Sequence, residues 1–185
     1  MHKTFQARRL DVAAFAQAQG RLEGRDALSN YERLAPGPSA PAADLTVTWQ
    51  ARGETRQAAD GSLRPALHLQ AEAALPLTCQ RCMEPMLAPV RVDAHFIFMP
   101  NEASAAALDE QSQDELLELT TALDLPALIE DELLLAQPLA PRHAQCPHEV
   151  RQSVQDAGFD AASRDKANPF AALAGLAAPG RGKNG

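Results

Sequence analysis

Apolar and polar residues alternate with a period of two over three stretches in the middle of the chain. Leu45, Val47, Trp49 and Ala51 interleave with Thr46, Thr48, Gln50 and Arg52, and Leu67, Leu69, Ala71 and Ala73 with His68, Gln70 and Glu72. Over residues 88–99, Val90, Val92, Ala94, Phe96 and Phe98 share one side. A two-residue repeat sends alternate side chains to opposite faces of an extended chain, so each stretch predicts a half-buried strand. Asp60-Gly61 supplies a turn between the first and second. The pair Cys79/Cys82 falls at the turn between the second and third. Such short connections make the three an antiparallel meander. Glu115–Leu119 predicts a fourth, short strand with Leu117 and Leu119 inward.

The period lengthens outside this region. Asp124 is placed to cap a helix with Pro126 in its first turn, carrying Leu125, Leu128, Ile129, Glu132 and Leu133 and stopping before Pro138. The run Leu133-Leu134-Leu135 is apolar on nearly all sides and predicts that this helix is well buried. Residues 11–34 also read as helical, with Asp11 as cap and Val12, Phe15, Ala18 and Leu22 on a loose face. Gly20 and Gly24 weaken its second half, and Ser29-Asn30-Tyr31-Glu32 has capping-box spacing that restarts a short helix. Residues 101–115 read as a mobile loop. The expected architecture is α+β: an antiparallel sheet of about four or more strands packed by helices. It divides into an N-terminal helical region with the Pro-rich connector Pro36–Pro41 (1–41), a sheet-and-helix core (42–141) and a flexible tail (142–185) in which Asn168-Pro169-Phe170 starts a short helix.

Composition narrows the class. Hydrophobic residues make up 45% of the 185, but aromatic residues only 4%, so the core rests on Leu, Val and a few Phe, and Trp49 carries unusual weight. The net charge of −7 argues against broad, phosphate-reading RNA binding and toward basic partners. Charge is also segregated. Between Arg91 and Arg142 there is no Lys or Arg, while eleven carboxylates lie there: Asp93, Glu102, Asp109, Glu110, Asp114, Glu115, Glu118, Asp124, Glu130, Asp131 and Glu132. A solvated face is the plain explanation; a docking face for a basic protein, centred on Glu130, Asp131 and Glu132, is the functional one. Met1 to Leu10 holds no apolar run of a secretory signal, and no stretch is apolar over the ~18 residues a membrane span needs. Three cysteines suit a reducing compartment, so the expected location is cytoplasmic, with no membrane contact.

Cys79-Gln80-Arg81-Cys82 has the spacing that brings two thiolates to adjacent corners of one metal. About sixty residues on lie His143, Cys146 and His148, so Cys79, Cys82, Cys146 and one histidine, His143 being the preferred one, make a candidate Cys3His set for structural zinc. The alternatives are ordinary reduced cysteines in a turn, or a redox pair, which the antiparallel context disfavours. No nucleophile elbow, phosphate-binding glycine loop or His-Glu-x-x-His motif occurs, so neither catalysis nor a small-molecule substrate is expected.

Three ordered blocks carry a family resemblance: Leu77-Thr78-Cys79-Gln80-Arg81-Cys82-Met83-Glu84-Pro85-Met86; Asp124-Leu125 through Glu130-Asp131-Glu132-Leu133-Leu134-Leu135 to Pro141; and Asn168-Pro169-Phe170-Ala171-Ala172-Leu173. The chain resembles the YceD family, the large ribosomal RNA subunit accumulation proteins of bacteria and plastids. That resemblance implies a non-catalytic role in the synthesis, processing or stability of 23S ribosomal RNA. It also implies a partner among the ribosomal proteins or on the pre-50S particle, with the RNA engaged indirectly or weakly. The other reading it leaves is a small zinc module that contacts ribosomal RNA directly. Some relatives carry a fuller cysteine set after the proline-ended helix, whereas this sequence has Cys146 alone there, flanked by His143 and His148.

Overall fold

A computed structural model describes residues 4–34, 44–148 and Phe170. The chain divides into two units, Met1–Pro147 and His148–Gly185; residues 142–147, read from the sequence as the start of the tail, thus belong with the first. The Pro-rich connector and the helix expected at Asn168-Pro169 lie outside the described residues.

The first unit is built on one five-stranded sheet in the order β1-β2-β3-β4-β5: β1 (Arg21–Ala27), β2 (Thr46–Gln57), β3 (Leu63–Thr78), β4 (Pro85–Met99) and β5 (Glu115–Glu118). The expected meander is present, with longer strands than the alternation alone indicated. The Asp60-Gly61 turn closes β2 on β3, with Gly61 at φ +80° and the Ser62 N–H donating to Asp60 Oδ1 at 2.9 Å. β1 to β4 pair antiparallel, whereas β5 lies parallel to β4, in register Phe96↔Glu115 to Met99↔Glu118. The parallel pairing requires a crossover, and the segment read as a mobile loop supplies it: helix α2 (Glu102–Leu108), capped by Asn101 Oδ1 on the Ser104 N–H at 2.8 Å, followed by a 3-10 turn.

One face of the sheet holds the main core. Val47, Trp49, Ala51, Leu67, Leu69, Leu75, Val90, Phe96 and Phe98 pack there with Phe15 of α1 (Val12–Gln17) and with Leu125, Ile129 and Leu133 of α3 (Leu125–Leu135). α3 starts as the cap predicts, with Asp124 Oδ1 accepting from the Ala127 N–H at 3.2 Å. It is only half-embedded: Leu133 is buried but Leu135 is exposed, so the three leucines do not sink the helix as expected. Among the described residues the opposite face is covered only at one end, where Ala105 of α2 meets Ala66, Ile97 and Met99. The remainder, with Gln50, His68, Gln70, Glu72, Arg91, Asp93 and His95, is polar.

The N-terminal expectation is corrected. α1 ends at Gln17, and residues 21–27 form an edge strand rather than the rest of a helix. Close approaches at Gly24 of the edge strand and at Gly53 of β2 accompany this arrangement. Gly24 pairs with Trp49, and a methyl group there would lie 2.6 Å from the indole. Gly53 faces the end of α1, where a Cβ would sit 2.4 Å from the Phe15 carbonyl oxygen, while its own N–H donates to the Gly20 carbonyl at 2.9 Å. The indole N–H in turn donates to Asp26 Oδ2 at 2.6 Å, and the Tyr31 hydroxyl donates to the same oxygen at 3.0 Å. Trp49 therefore ties the edge strand to the core through both its ring and its polar edge.

Two predictions follow from this packing. Gly53→Ala pushes backbone against backbone, which no side-chain rotation relieves, and lowers stability in urea by about 2 kcal/mol; a loss below a few tenths would contradict the close approach of α1. The second concerns Glu132, which lies on the packed face of α3 with 7% of its surface exposed. Burial, then the negative fields of Glu115 and Asp131, raise its carboxyl from 4.5 to about 7. The folded state thus prefers the protonated form, and the stability this contributes is fully present at acid pH and lost as pH rises through about 7. Glu132→Gln is expected to raise stability at pH ~8 by up to about 3 kcal/mol and to have little effect near pH ~4. Thermal melts of both proteins across that range check it, and a pH-independent difference would count against it.

Candidate metal centre

β2 stops pairing at Val47↔Ala73, but β3 and β4 continue together to Thr78↔Pro85. The Cys-x-x-Cys turn is therefore the tip of a two-stranded ribbon that extends past the sheet. The turn is tight: the Met83 N–H donates to the Cys79 carbonyl at 2.8 Å and the Cys79 N–H to the Glu84 carbonyl at 2.9 Å, with Met83 in the left-handed region at φ 62°. The segment after α3 returns to this tip, where the Gln80 N–H donates to the Pro141 carbonyl at 2.8 Å.

The return brings the second half of the set into place. One donor atom from each of Cys79, Cys82, His143 and Cys146 lies within 4.8 Å of the other three. Cys79 Sγ is 3.9 Å from Cys146 Sγ, and Cys82 Sγ is 3.4 Å from His143 Nδ1. The edges of a tetrahedron with metal–sulfur bonds of ~2.3 Å and metal–nitrogen bonds of ~2.0 Å are about 3.8 and 3.5 Å, so both separations suit a single four-coordinate ion. All three cysteines are free, and the 3.9 Å sulfur separation is far from the ~2.05 Å of a disulfide. Three soft thiolates with one imidazole are a zinc-type donor set, and the residues fit the ion. His148 is not among the four donors.

The surroundings favour thiolate at one cysteine and oppose it at another. Burial pushes the Cys79 thiol up, but N–H groups of His143, Cys82 and Arg81 outweigh it and hold the thiol down to about 5. At Cys82 burial dominates and, helped by the neighbouring sulfurs, raises the thiol to about 11. Arg81 answers the accumulated negative charge: its Nε donates to Cys146 Sγ at 3.1 Å and its Nη2 to the His143 carbonyl at 2.8 Å. Three thiolates around a divalent ion leave one net negative charge, which the guanidinium neutralises.

The candidate partner-binding carboxylates are arranged differently. Glu130 and Asp131 are engaged by Arg33, whose backbone N–H donates to Glu130 Oε1 at 2.6 Å and whose guanidinium spans Glu130 Oε2 at 2.9 Å and Asp131 Oδ1 at 2.5 Å. Glu132 points to the packed face of α3. The three do not form one solvent face. The exposed carboxylates within the cation-free stretch gather instead on the α2–β5 crossover and on β5, at Glu102, Asp109, Glu110, Glu115 and Glu118, whereas the exposed Asp93, Asp124 and Asp131 are engaged by His68, by the start of α3 and by Arg33. Arg33, which the sequence reading passed over, is the residue that separates these cases.

Comparison with known proteins adds two findings. A family model described as "Large ribosomal RNA subunit accumulation protein YceD" matches residues 67–177. A protein of that same name from Haemophilus influenzae is 30% identical over 172 residues, covering 90% of this chain and 94% of the relative. No solved structure matches the chain.

The metal assignment has a direct test. Freshly purified protein is expected to carry one zinc per chain by plasma mass spectrometry, and Cys82→Ser to lose it while the far-ultraviolet dichroism of the sheet persists. Wild-type protein devoid of zinc, and unable to take it up under reducing conditions, would rule the centre out.

Proposed function

Because the chain belongs to the YceD family, the large ribosomal RNA subunit accumulation proteins, we propose that it acts in large-subunit biogenesis as a non-catalytic binding factor that engages a basic ribosomal protein or an assembly intermediate. Family membership carries the role in ribosomal RNA accumulation. The observation that supports the mode of action is electrostatic. Five exposed carboxylates, Glu102, Asp109, Glu110, Glu115 and Glu118, lie on the crossover and the strand β5 it leads to, a stretch that contains no Lys or Arg. A field of one sign raises the encounter rate of an oppositely charged partner and weakens with salt. Contact with 23S ribosomal RNA is indirect in this reading, since a net charge of −7 repels phosphate.

Zinc, in the same reading, is structural. Bound to Cys79, Cys82, His143 and Cys146, it would hold the chain after α3 against the ribbon tip and supply folding free energy there. The second reading, a zinc knuckle that touches ribosomal RNA itself, has less support, because Arg81 at the tip is committed to Cys146 and His143. Among the described residues no helix is long and apolar enough to cross a membrane, which fits work at the ribosome in the cytoplasm.

The test moves charge away from α3. Glu102→Lys, Asp109→Lys and Glu110→Lys together are expected to reduce co-sedimentation with pre-50S particles about tenfold or more at low salt, with the difference narrowing as salt rises. Equal co-sedimentation of the native and reversed proteins at low salt would overturn the mode of action while leaving the family role intact.

A further inference from the structure

The open edges of the sheet are not protected alike. In a ladder each residue turns its N–H and C=O to the same side, and successive residues alternate. The Cys79 N–H donates to the Glu84 carbonyl at 2.9 Å, and pairing continues as Thr78↔Pro85 and Leu77↔Met86. The even residues of β4 therefore turn toward β3 and the odd ones away from it. Before the short pairing with β5, that outward row includes Pro85 and Pro89. Both prolines fall where a donor would otherwise face outward, which blunts this edge against a further strand.

β5 carries no such device. It is the last strand of the sheet, and among the described residues no strand pairs with its outer side. The Leu119 N–H donates to the Met99 carbonyl at 2.8 Å, so Glu115 and Leu117 turn toward β4, and Leu116 and Glu118 turn outward. The segment before α1 agrees with this direction. The Val12 N–H reaches the outward carbonyl of Thr120 at 3.4 Å, and Leu10 bridges Leu123 in antiparallel sense. α1 begins at Val12 and packs against β2 and β3, so this segment leaves the edge before it reaches Glu118. Leu117 joins the main core and Leu116 the cluster under α2, which places Glu115 on one face of the strand and Glu118 on the other. Both carboxylates are exposed, and the crossover beside them adds Glu102, Asp109 and Glu110 with no cation. The opposite terminal strand, β1, mixes Arg21 and Arg25 with Glu23 and Asp26 and presents no field of one sign.

We infer that the outer edge of β5 takes up an extended segment of a partner as an additional strand, and that this segment is a run of consecutive lysines and arginines. The inference rests on the reading of the chain as a binding factor for a basic protein and specifies how such a partner is held. Backbone pairing to Leu116 and Glu118 supplies register. Successive side chains of a strand alternate between faces, and here each face carries a carboxylate, so consecutive basic residues are matched where an alternating pattern satisfies only one face. An acidic segment is repelled by Glu115 and Glu118.

The unaltered full chain is titrated at low salt with a short synthetic peptide of lysine and arginine. In parallel it is titrated with the same peptide N-methylated at every backbone nitrogen, which keeps the charge and removes the donors. The expected result is saturable binding of the first peptide, with the Leu116 and Glu118 amide protons moved downfield and slowed in exchange. The amides of Arg91 and Asp93, on the proline-blunted edge, stay unmoved, and the dissociation constant is at least about tenfold higher for the methylated peptide. Equal affinity of the two peptides, or binding that leaves the Leu116 and Glu118 amides unchanged, overturns the edge pairing while leaving the attraction of a basic partner to the crossover intact. Failure of both peptides to bind also overturns it, and co-sedimentation of the charge-reversed protein then judges the wider reading separately.

Discussion

The antiparallel pairing of β3 with β4 is the constraint on which the rest of the structure depends. It runs unbroken from Ala66↔Ile97 to Thr78↔Pro85, longer than any other ladder in the sheet. Its middle is flanked by β2 and faces the core formed with α1 and α3; among the described residues its far end has no third strand. A two-stranded ribbon is marginal in water on its own. Leu75 and Ala88, both buried, supply apolar packing near the tip, but the tip itself is a polar turn, against which the returning segment places the His143 N–H and Cys146 Sγ on Cys79.

That dependence explains why the tip needs a chemical tie rather than more packing. Cys82 and His143 are separated by 61 residues. Closing a loop of that length removes substantial chain entropy from the unfolded state, and the cost grows only slowly with further length. A four-donor ion at Cys79, Cys82, His143 and Cys146 would close it once for two segments, the turn and the return. Arg81 would then make the tie electrically neutral, so that its burial against the ribbon leaves no unpaired charge. The same ladder sets the histidine pair: one pairing places His68 beside His95 on one face and Cys79 and Cys82 at the turn beyond its end.

Much of this was legible in the sequence because it depends on local period. The three alternating stretches, the Asp60-Gly61 turn, the Asp124 cap and the position of the cysteine pair all follow from residues within a few positions of one another. What the period could not convey was partnership at a distance. Gly24 reads as a flaw in a helix until Trp49, in another strand, is seen to occupy the space its side chain would take. Residues 102–108 read as a loop because alanine and acid carry no apolar stripe; Asn101 as a cap was the available signal. The Cys3His grouping, with His143 as the preferred histidine, was suggested by residue type, and its convergence needed the path of the chain after Pro141.

The acidic stretch shows how a charge count misleads when side-chain direction is left out. On α3, Leu125, Ile129, Glu132 and Leu133 follow the spacing of one helical face, so periodicity already turned Glu132 inward while net charge counted it as surface. Glu130 and Asp131 lie on the other side and are answered by a single arginine from the segment after β1. Such exposed or half-exposed pairs contribute at most modestly to stability, yet the arginine cancels one of the two carboxylate charges in the far field. The field that remains arises from the crossover to β5, whose parallel pairing forces a connecting segment over the sheet edge. Topology, rather than the density of carboxylates along the sequence, therefore decides where the negative field is concentrated.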